Sequence, residues 1–315
     1  MKAIQLLGPK GQATITLTSS LPRPVPQAHQ LLIRVHSAGV TADEISWPEV
    51  YKTSTRIPGH DISGVIAELG PEYNGPLSVG DQVYAMLHVD RGQGQAEYVT
   101  AFDDEVALKP KTIGHSEASA LPIPILTAVE ALERHAKVER GSRILVTGAS
   151  GAVGVMLVQL AKRLYDAHVV ALASASKHDH LRELGAAEVV DYATPGWETR
   201  ISVDAVVDTV GGEILSKSWE TLKGQGSIVT VADPPPPWAF TDEVPKELGL
   251  HPGVAYKYFV ISTDSKALSK VARMIDNGEV VCLPVVPFPV SDAVAAWSAA
   301  SQRGRKGKIV IDFVR

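Results

Sequence analysis

Glycine placement at one point in this 315-residue chain constrains its fold more than any other feature. The run Ile144-Leu145-Val146-Thr147 has the pattern of a buried strand and leads into Gly148-Ala149-Ser150-Gly151-Ala152-Val153-Gly154. Over 153–164 apolar side chains then recur at helical spacing. A strand, a glycine-rich turn and a helix in that order make an anion site. Glycine lets the backbone approach a pyrophosphate, and the helix N-terminus offers free N–H groups and a favourable dipole. Gly151 fits the close approach and Gly154 the tight packing of helix on strand. Ala149 stands where the dinucleotide fingerprint has its first glycine. A purely structural turn would use the same glycines; the apolar strand expected at 168–172 favours a dinucleotide. The expected contacts are Ser150, Gly151, Ala152 and Val153.

The surrounding pattern extends this unit. Strands expected at 187–190, 204–208, 227–231 and 258–262 accompany helices at 179–184 and 265–277. Apolar strands alternating with helices predict a parallel sheet covered on both faces. Residues 1–115 instead carry short β-type runs separated by glycine and proline. The tail turns β-like again over 281–290 and 308–313, with a helix between them at 291–301. The expectation is an α/β protein with a β-rich domain from 1–120 and 280–315, and a doubly wound parallel sheet from 121–279. The prolines at 234–237 predict a stiff extended loop.

Charge and cysteine usage exclude several function classes. Thirty Lys and Arg against 35 Asp and Glu leave a net charge of −5, with no basic excess for nucleic acid or an anionic membrane. No apolar run reaches the length of a membrane span, and the N-terminus does not read as a signal peptide, so a cytoplasmic protein is expected. Cys282 is the single cysteine, which rules out an intramolecular disulfide and a Cys-rich zinc site.

The end of the second strand bears on the nucleotide. NAD sites place a carboxylate about 20 residues beyond the turn, for the ribose hydroxyls. Here the stretch Ala171-Leu172-Ala173-Ser174-Ala175-Ser176-Lys177-His178 has none. Ser174, Lys177 and His178 suit a 2′-phosphate, so NADPH is expected; a solvated turn is the alternative.

Several motifs together resemble the zinc-independent medium-chain dehydrogenase/reductases of the quinone oxidoreductase and enoyl reductase type. They include Ala38-Gly39-Val40-Thr41, Pro58-Gly59-His60-Asp61, Val79-Gly80-Asp81-Gln82-Val83, Val190-Asp191-Tyr192, Val207-Asp208-Thr209-Val210-Gly211-Gly212 and Gly307-Lys308-Ile309-Val310. The resemblance covers the whole chain. It implies a GroES-like domain built from both termini, a central Rossmann domain, and an active site in the cleft between them. Zinc members of the superfamily carry a cysteine soon after the Ala-Gly-Val segment, the histidine of a Gly-His-Glu motif and a second cysteine. This chain has Thr41 and His60 at the first two positions and no second cysteine, so no metal is expected.

The implied reaction is hydride transfer to an α,β-unsaturated carbonyl or a quinone. The resemblance implies Thr127, Tyr192, Val210, Phe259, Val260 and Lys308 as further cofactor contacts, although a solvated charge would equally explain Lys308. Thr41, Glu44, Trp47 and Tyr51 become pocket candidates, and Trp238 joins them because it follows the proline loop. Tyr51, His60 and Thr127 are the catalytic candidates; Tyr84 and His60 compete with Tyr51 as proton donor, although structural roles suit His60 and Asp61 better. A small-molecule partner and a homodimer are implied. A non-redox cyclase or isomerase on the same scaffold, and an NADPH-binding protein without catalysis, remain as alternatives.

Overall fold

The computed structural model describes residues 1–302 and 304–314, with Lys223 by its backbone only. In chain order the strands are β1 (Ala3–Leu7), β2 (Thr14–Thr18), β3 (Leu31–Gly39), β4 (Asp61–Leu69), β5 (Gln82–Met86), β6 (Tyr98–Ala101), β7 (Val106–Leu108), β8 (Arg143–Val146), β9 (His168–Leu172), β10 (Glu188–Val190), β11 (Val203–Asp208), β12 (Leu222–Thr230), β13 (Val254–Tyr258), β14 (Val285–Pro289) and β15 (Lys308–Asp312). The helices are α1 (Pro48–Lys52), α2 (His115–Ala118), α3 (Pro122–Glu130), α4 (Ala152–Tyr165), α5 (His178–Glu183), α6 (Gly212–Ser218), α7 (Ser265–Asp276) and α8 (Ala293–Ala300). Two units form: residues 1–126 with 262–315, and residues 127–261.

The second unit is built on a six-stranded sheet in the order β10-β9-β8-β11-β12-β13, all parallel. Ile144, Leu145 and Val146 are fully buried, as are Val169, Val170, Ala171, Val206 and Val207. Such unbroken apolar strands suit a sheet with both faces covered. Strand order reverses between β8 and β11, the point where α/β sheets open a ligand crevice beyond the strand C-termini. This is the doubly wound sheet expected from the sequence.

In the first unit a larger sheet runs β14-β15-β3-β4-β5-β7, with β6 also paired to β3. Its pairs are antiparallel except β14 with β15. Leu31, Ile33, Val35, Ile62, Ile66, Val83 and Val99 meet in one buried cluster, and β1 and β2 form a separate hairpin.

Some expected boundaries shift. No strand spans 259–262; the strand expected at 258–262 lies earlier, as β13 (Val254–Tyr258), and shares only Tyr258 with that expectation. Just past β13, Phe259 N still donates to Thr230 O at 3.4 Å, and its ring packs on His135, 4.4 Å between centroids. Of the proline loop, Pro236 is extended and Pro237 opens a 3-10 turn over Pro237–Phe240. The second domain boundary, expected near 279, lies at 261/262. Buried Tyr84 donates its hydroxyl to Leu268 O at 2.7 Å, and Thr263 Oγ1 donates to Asp104 at 2.7 Å, which holds α7 in the first unit.

A titrating pair sits in this first unit. The His36 and His115 rings lie 4.3 Å apart, and His115 Nδ1 meets buried Ser63 Oγ at 2.7 Å. Burial, with His36 and Lys109 nearby, pushes the His115 pKa down to about 4. The unfolded chain takes up this proton near pH 6.5 and the folded chain only near 4. The contribution to stability is therefore full above pH 6.5 and is lost as pH falls toward 4. Thermal melts between pH 7.5 and 5.0 should show the midpoint falling with pH, and His115→Gln should flatten that slope. An equal slope in the variant would contradict the assignment.

Candidate cofactor and active site

Beyond the C-termini of β8, β11 and β12, one carboxylate organises the switch point. Asp208 ends β11 and is fully buried. Its Oδ1 accepts from Thr147 Oγ1 at 2.5 Å and Val210 N at 3.3 Å. Its Oδ2 accepts from Thr230 Oγ1 at 2.7 Å and Gly211 N at 3.0 Å. Four hydrogen bonds match the acceptor capacity of a carboxylate. Thr147 is held further, because Thr209 Oγ1 donates to its carbonyl at 3.0 Å. Asp208 thereby ties three neighbouring strand ends together.

On this base sits the glycine turn. Gly148 has φ +58°, and a Cβ there would lie 2.4 Å from Thr209 Oγ1. A Cβ on Gly154 would come 2.3 Å from Gly148 O, so the close packing of helix and turn requires glycine. Gly151 differs: with φ −77° and ψ 172° it occupies extended backbone open to any residue. It caps α4 and is exposed. Ala152 and Val153 follow at the first helical positions, where backbone N–H groups have no partner inside the helix. Ser150 is exposed beside them. The four expected phosphate contacts are brought together on one turn.

The next turn follows β9. Ser174 caps a short 3-10 helix over Ala175–Lys177, with Ser174 Oγ 3.4 Å from Ser176 Oγ. Lys177 is exposed, whereas His178 turns back, its Nε2 3.3 Å from Ala173 O. No carboxylate occurs within this stretch, but one reaches it in space. Asp191, just beyond β10, accepts from Ala175 N at 3.2 Å and from Ala193 N at 2.8 Å. Tyr192, Val210 and Val260 are each about half exposed, at 52%, 46% and 52%. Phe259 is buried against His135. Trp238 packs edge-on against Tyr256 at 5.3 Å beside the buried Trp219 and Leu222 cluster. Trp238, expected as a pocket wall, is half-buried and packs in this cluster.

The first unit gathers a second group. His60 and Glu44 are 3% and 1% exposed, and His60 Nδ1 lies 2.7 Å from Glu44 Oε1. Glu44 Oε1 also accepts from Gly59 N at 2.5 Å, and His60 Nε2 lies 3.1 Å from Val89 O. Burial opposes the imidazolium, but Glu44, the Val89 carbonyl and Asp61 outweigh it and hold the His60 pKa above its ordinary value. Glu44, expected to line a pocket, is instead turned inward by this pair. The Trp47 ring lies 5.4 Å from His60, and its Nε1 donates to Asp43. Tyr51, on α1, donates its hydroxyl to Ile45 O at 2.6 Å. Burial raises the Tyr51 pKa, partly offset by Arg56. Thr41 is half-buried before this loop.

Lys308 is not free for an anion. Its ammonium lies 2.8 Å from Asp61 Oδ2, and the other Asp61 oxygen accepts from Ile123 N at 2.7 Å. The pair thus anchors the start of α3, the helix that carries buried Thr127.

Zinc does not fit the residues present. Thr41 is a poor ligand, and both nitrogens of His60 face protein acceptors. Among the described residues no three His, Cys, Asp or Glu side chains are grouped to hold a metal.

The sequence marks Asp208 only as part of a family motif and leaves its role unassigned. The signal was a lone carboxylate closing the apolar run Ala205-Val206-Val207. Asp208→Asn places an amide N–H₂ against donors and should cost about 2–4 kcal/mol. Urea unfolding measures it; a loss below about 0.5 kcal/mol would contradict the network's role.

Comparison with known proteins agrees with this construction. The alcohol dehydrogenase GroES-like domain profile matches residues 27–120, and a zinc-binding dehydrogenase profile matches residues 184–311. The chain is 30% identical to the chloroplastic NADPH-dependent alkenal/one oxidoreductase of Arabidopsis thaliana, over 96% of this chain and 76% of that protein. It is 34% identical to the 2-methylene-furan-3-one reductase of Solanum lycopersicum, over 81% of this chain and 63% of that protein. The solved quinone oxidoreductase of Coxiella burnetii superposes with a TM-score of 0.84 at 28% identity, covering 100% of this chain and 99% of that one. The chain belongs to the medium-chain dehydrogenase/reductase superfamily, in its quinone oxidoreductase and enoyl reductase branch.

Proposed function

We propose that the chain is an NADPH-dependent reductase that delivers hydride to an activated C=C bond or a quinone without a metal. The observation that carries this reading is the Asp208-supported glycine turn at the switch point of the parallel sheet, with hydroxyls and Lys177 at the end of the next strand. Ser150, Ala152 and Val153 would hold the pyrophosphate through backbone N–H groups, while Gly151, whose own N–H donates to Gly148 O at 2.8 Å, would leave room for its close approach. Ser174, Ser176 and Lys177 would hold the 2′-phosphate. When bound, the dinucleotide would supply the hydride.

The protein's own contribution is placement. Conjugated enones and quinones are already polarised acceptors, so positioning and a proton source suffice. His60 has both nitrogens engaged and serves to fix its loop. Tyr51 lies outside that pair and is our proton donor for the α-carbon or the quinone oxygen, its hydroxyl turning to the acceptor from Ile45 O, to which it donates at 2.6 Å. The names of relatives that act on alkenals, enones and quinones support this substrate class.

The reading is tested by oxidation of NADPH against a panel of enones and quinones, with chelator present. Turnover should persist in chelator, and NADPH should bind at least about tenfold more tightly than NADH. One tightly bound zinc per chain that is needed for turnover would overturn the metal-free mechanism. Equal cofactor affinities would remove the NADPH assignment.

Gly151→Val tests the phosphate turn itself. Its extended φ suits valine; a Cβ there meets Gly148 O at 3.2 Å, a tight contact that a small shift of the turn relieves, so the variant should fold, which circular dichroism and a thermal melt check. The branched side chain would occupy the phosphate's space. Losing two charge-assisted hydrogen bonds, at roughly 1.5–3 kcal/mol each, weakens NADPH more than about a hundredfold. A folded variant with unchanged affinity would place the cofactor elsewhere.

A further inference from the structure

The carboxylate of Asp191 lies where the NADPH reading wants none. Its two oxygens accept from Ala175 N at 3.2 Å and Ala193 N at 2.8 Å. The first contact belongs to the turn that carries Ser174, Ser176 and Lys177. β10 pairs with β9 in parallel, Val190 opposite Leu172, and Ala173 N donates to Val190 O at 3.1 Å. This pairing sets Asp191 beside the turn although 16 residues separate it from Ala175. Asp191 therefore does two things at once. It fixes the turn's backbone, and it takes the Ala175 N–H that a phosphate oxygen would otherwise use, leaving negative charge next to the same turn.

We propose that Asp191 is a specificity-determining residue that holds the preference for NADPH below what Ser174, Ser176 and Lys177 would give alone. This rests on the NADPH reading of that turn. The cations nearby do not cancel its effect. His178 directs Nε2 to the Ala173 carbonyl, and Arg182 pairs with Asp179 at 3.0 Å. Lys177 is the exposed cation on the turn itself. A 2′-phosphate would meet Lys177 as an attractive charge and Asp191 as a repulsive one. A 2′-hydroxyl carries no charge to be repelled, and a carboxylate is the group that NAD sites use to accept from it.

The test is the ratio of dissociation constants for NADH and NADPH, read by fluorescence titration of the whole chain. Asp191→Asn removes the charge and keeps one acceptor for the backbone. The ratio should shift toward NADPH by at least about fivefold. High salt should shrink that shift, which a merely structural change would not do. Asp191→Ser, which retains a hydroxyl acceptor, should shift the ratio the same way and serves if the asparagine variant is unstable. An unchanged ratio, or a shift toward NADH, in whichever variant folds would overturn the proposal. The outcome is separable from the cofactor assignment. Equal wild-type affinities would remove the NADPH reading, whereas a wild-type preference with an unmoved variant ratio would remove the role of Asp191 alone.

Discussion

The burial of one carboxylate, Asp208, underlies the cofactor region. Removing a carboxylate from water is costly unless its acceptor sites are filled. Here Thr147, Thr230, Val210 and Gly211 fill them, and each belongs to the end of β8, β11 or β12 or to the turn just beyond. The penalty for leaving any one of these groups unpaired makes the local geometry nearly all-or-none. The Gly148 turn is fixed against Thr209, and α4 packs so closely on that turn that Gly154 has no room for a side chain. The helix start that would bind a pyrophosphate therefore inherits its position from a residue that points away from solvent.

The first unit solves a similar problem twice. Glu44 with His60, and Asp61 with Lys308, are charged groups taken out of water, and each pair also holds backbone N–H groups. Glu44 joins the loop after β3 to Gly59. Asp61 joins the start of β4 to the start of α3, and through Lys308 to β15. Such pairs add little net stability compared with apolar packing, but breaking one leaves a buried charge alone. Their effect within the first unit is to fix the segment that leads into Trp47 and α1, and the start of α3 at Ile123.

Much of this architecture was legible in the sequence because it rests on local pattern. The run from Ile144 to Gly154 states strand, turn and helix within eleven positions, and the apolar runs of β9, β11 and β12 announce a parallel sheet. The polar partnerships were not legible, because their members are far apart in the chain. Sixty-one residues separate Thr147 from Asp208, and 247 separate Asp61 from Lys308. Lys308 looked like a free cation, and Glu44 like a pocket group, because sequence gives charge without direction. The stretch from Ala171 to His178 looked free of carboxylates for the same reason, since Asp191 arrives only through the pairing of β10 with β9. Phe259 continued an apolar run in sequence, but β13 ends one residue before it and its ring packs on His135.

The central claim is hydride transfer from a dinucleotide held by the glycine turn, and isotopic labelling tests it most directly. NADPH bearing deuterium on the transferring face of nicotinamide C4 is incubated with the chain and a conjugated enone, and the product is examined by NMR. Deuterium at the former β-carbon, with the α-proton drawn from solvent, is the predicted result. Turnover of the enone without deuterium at that carbon would contradict the account.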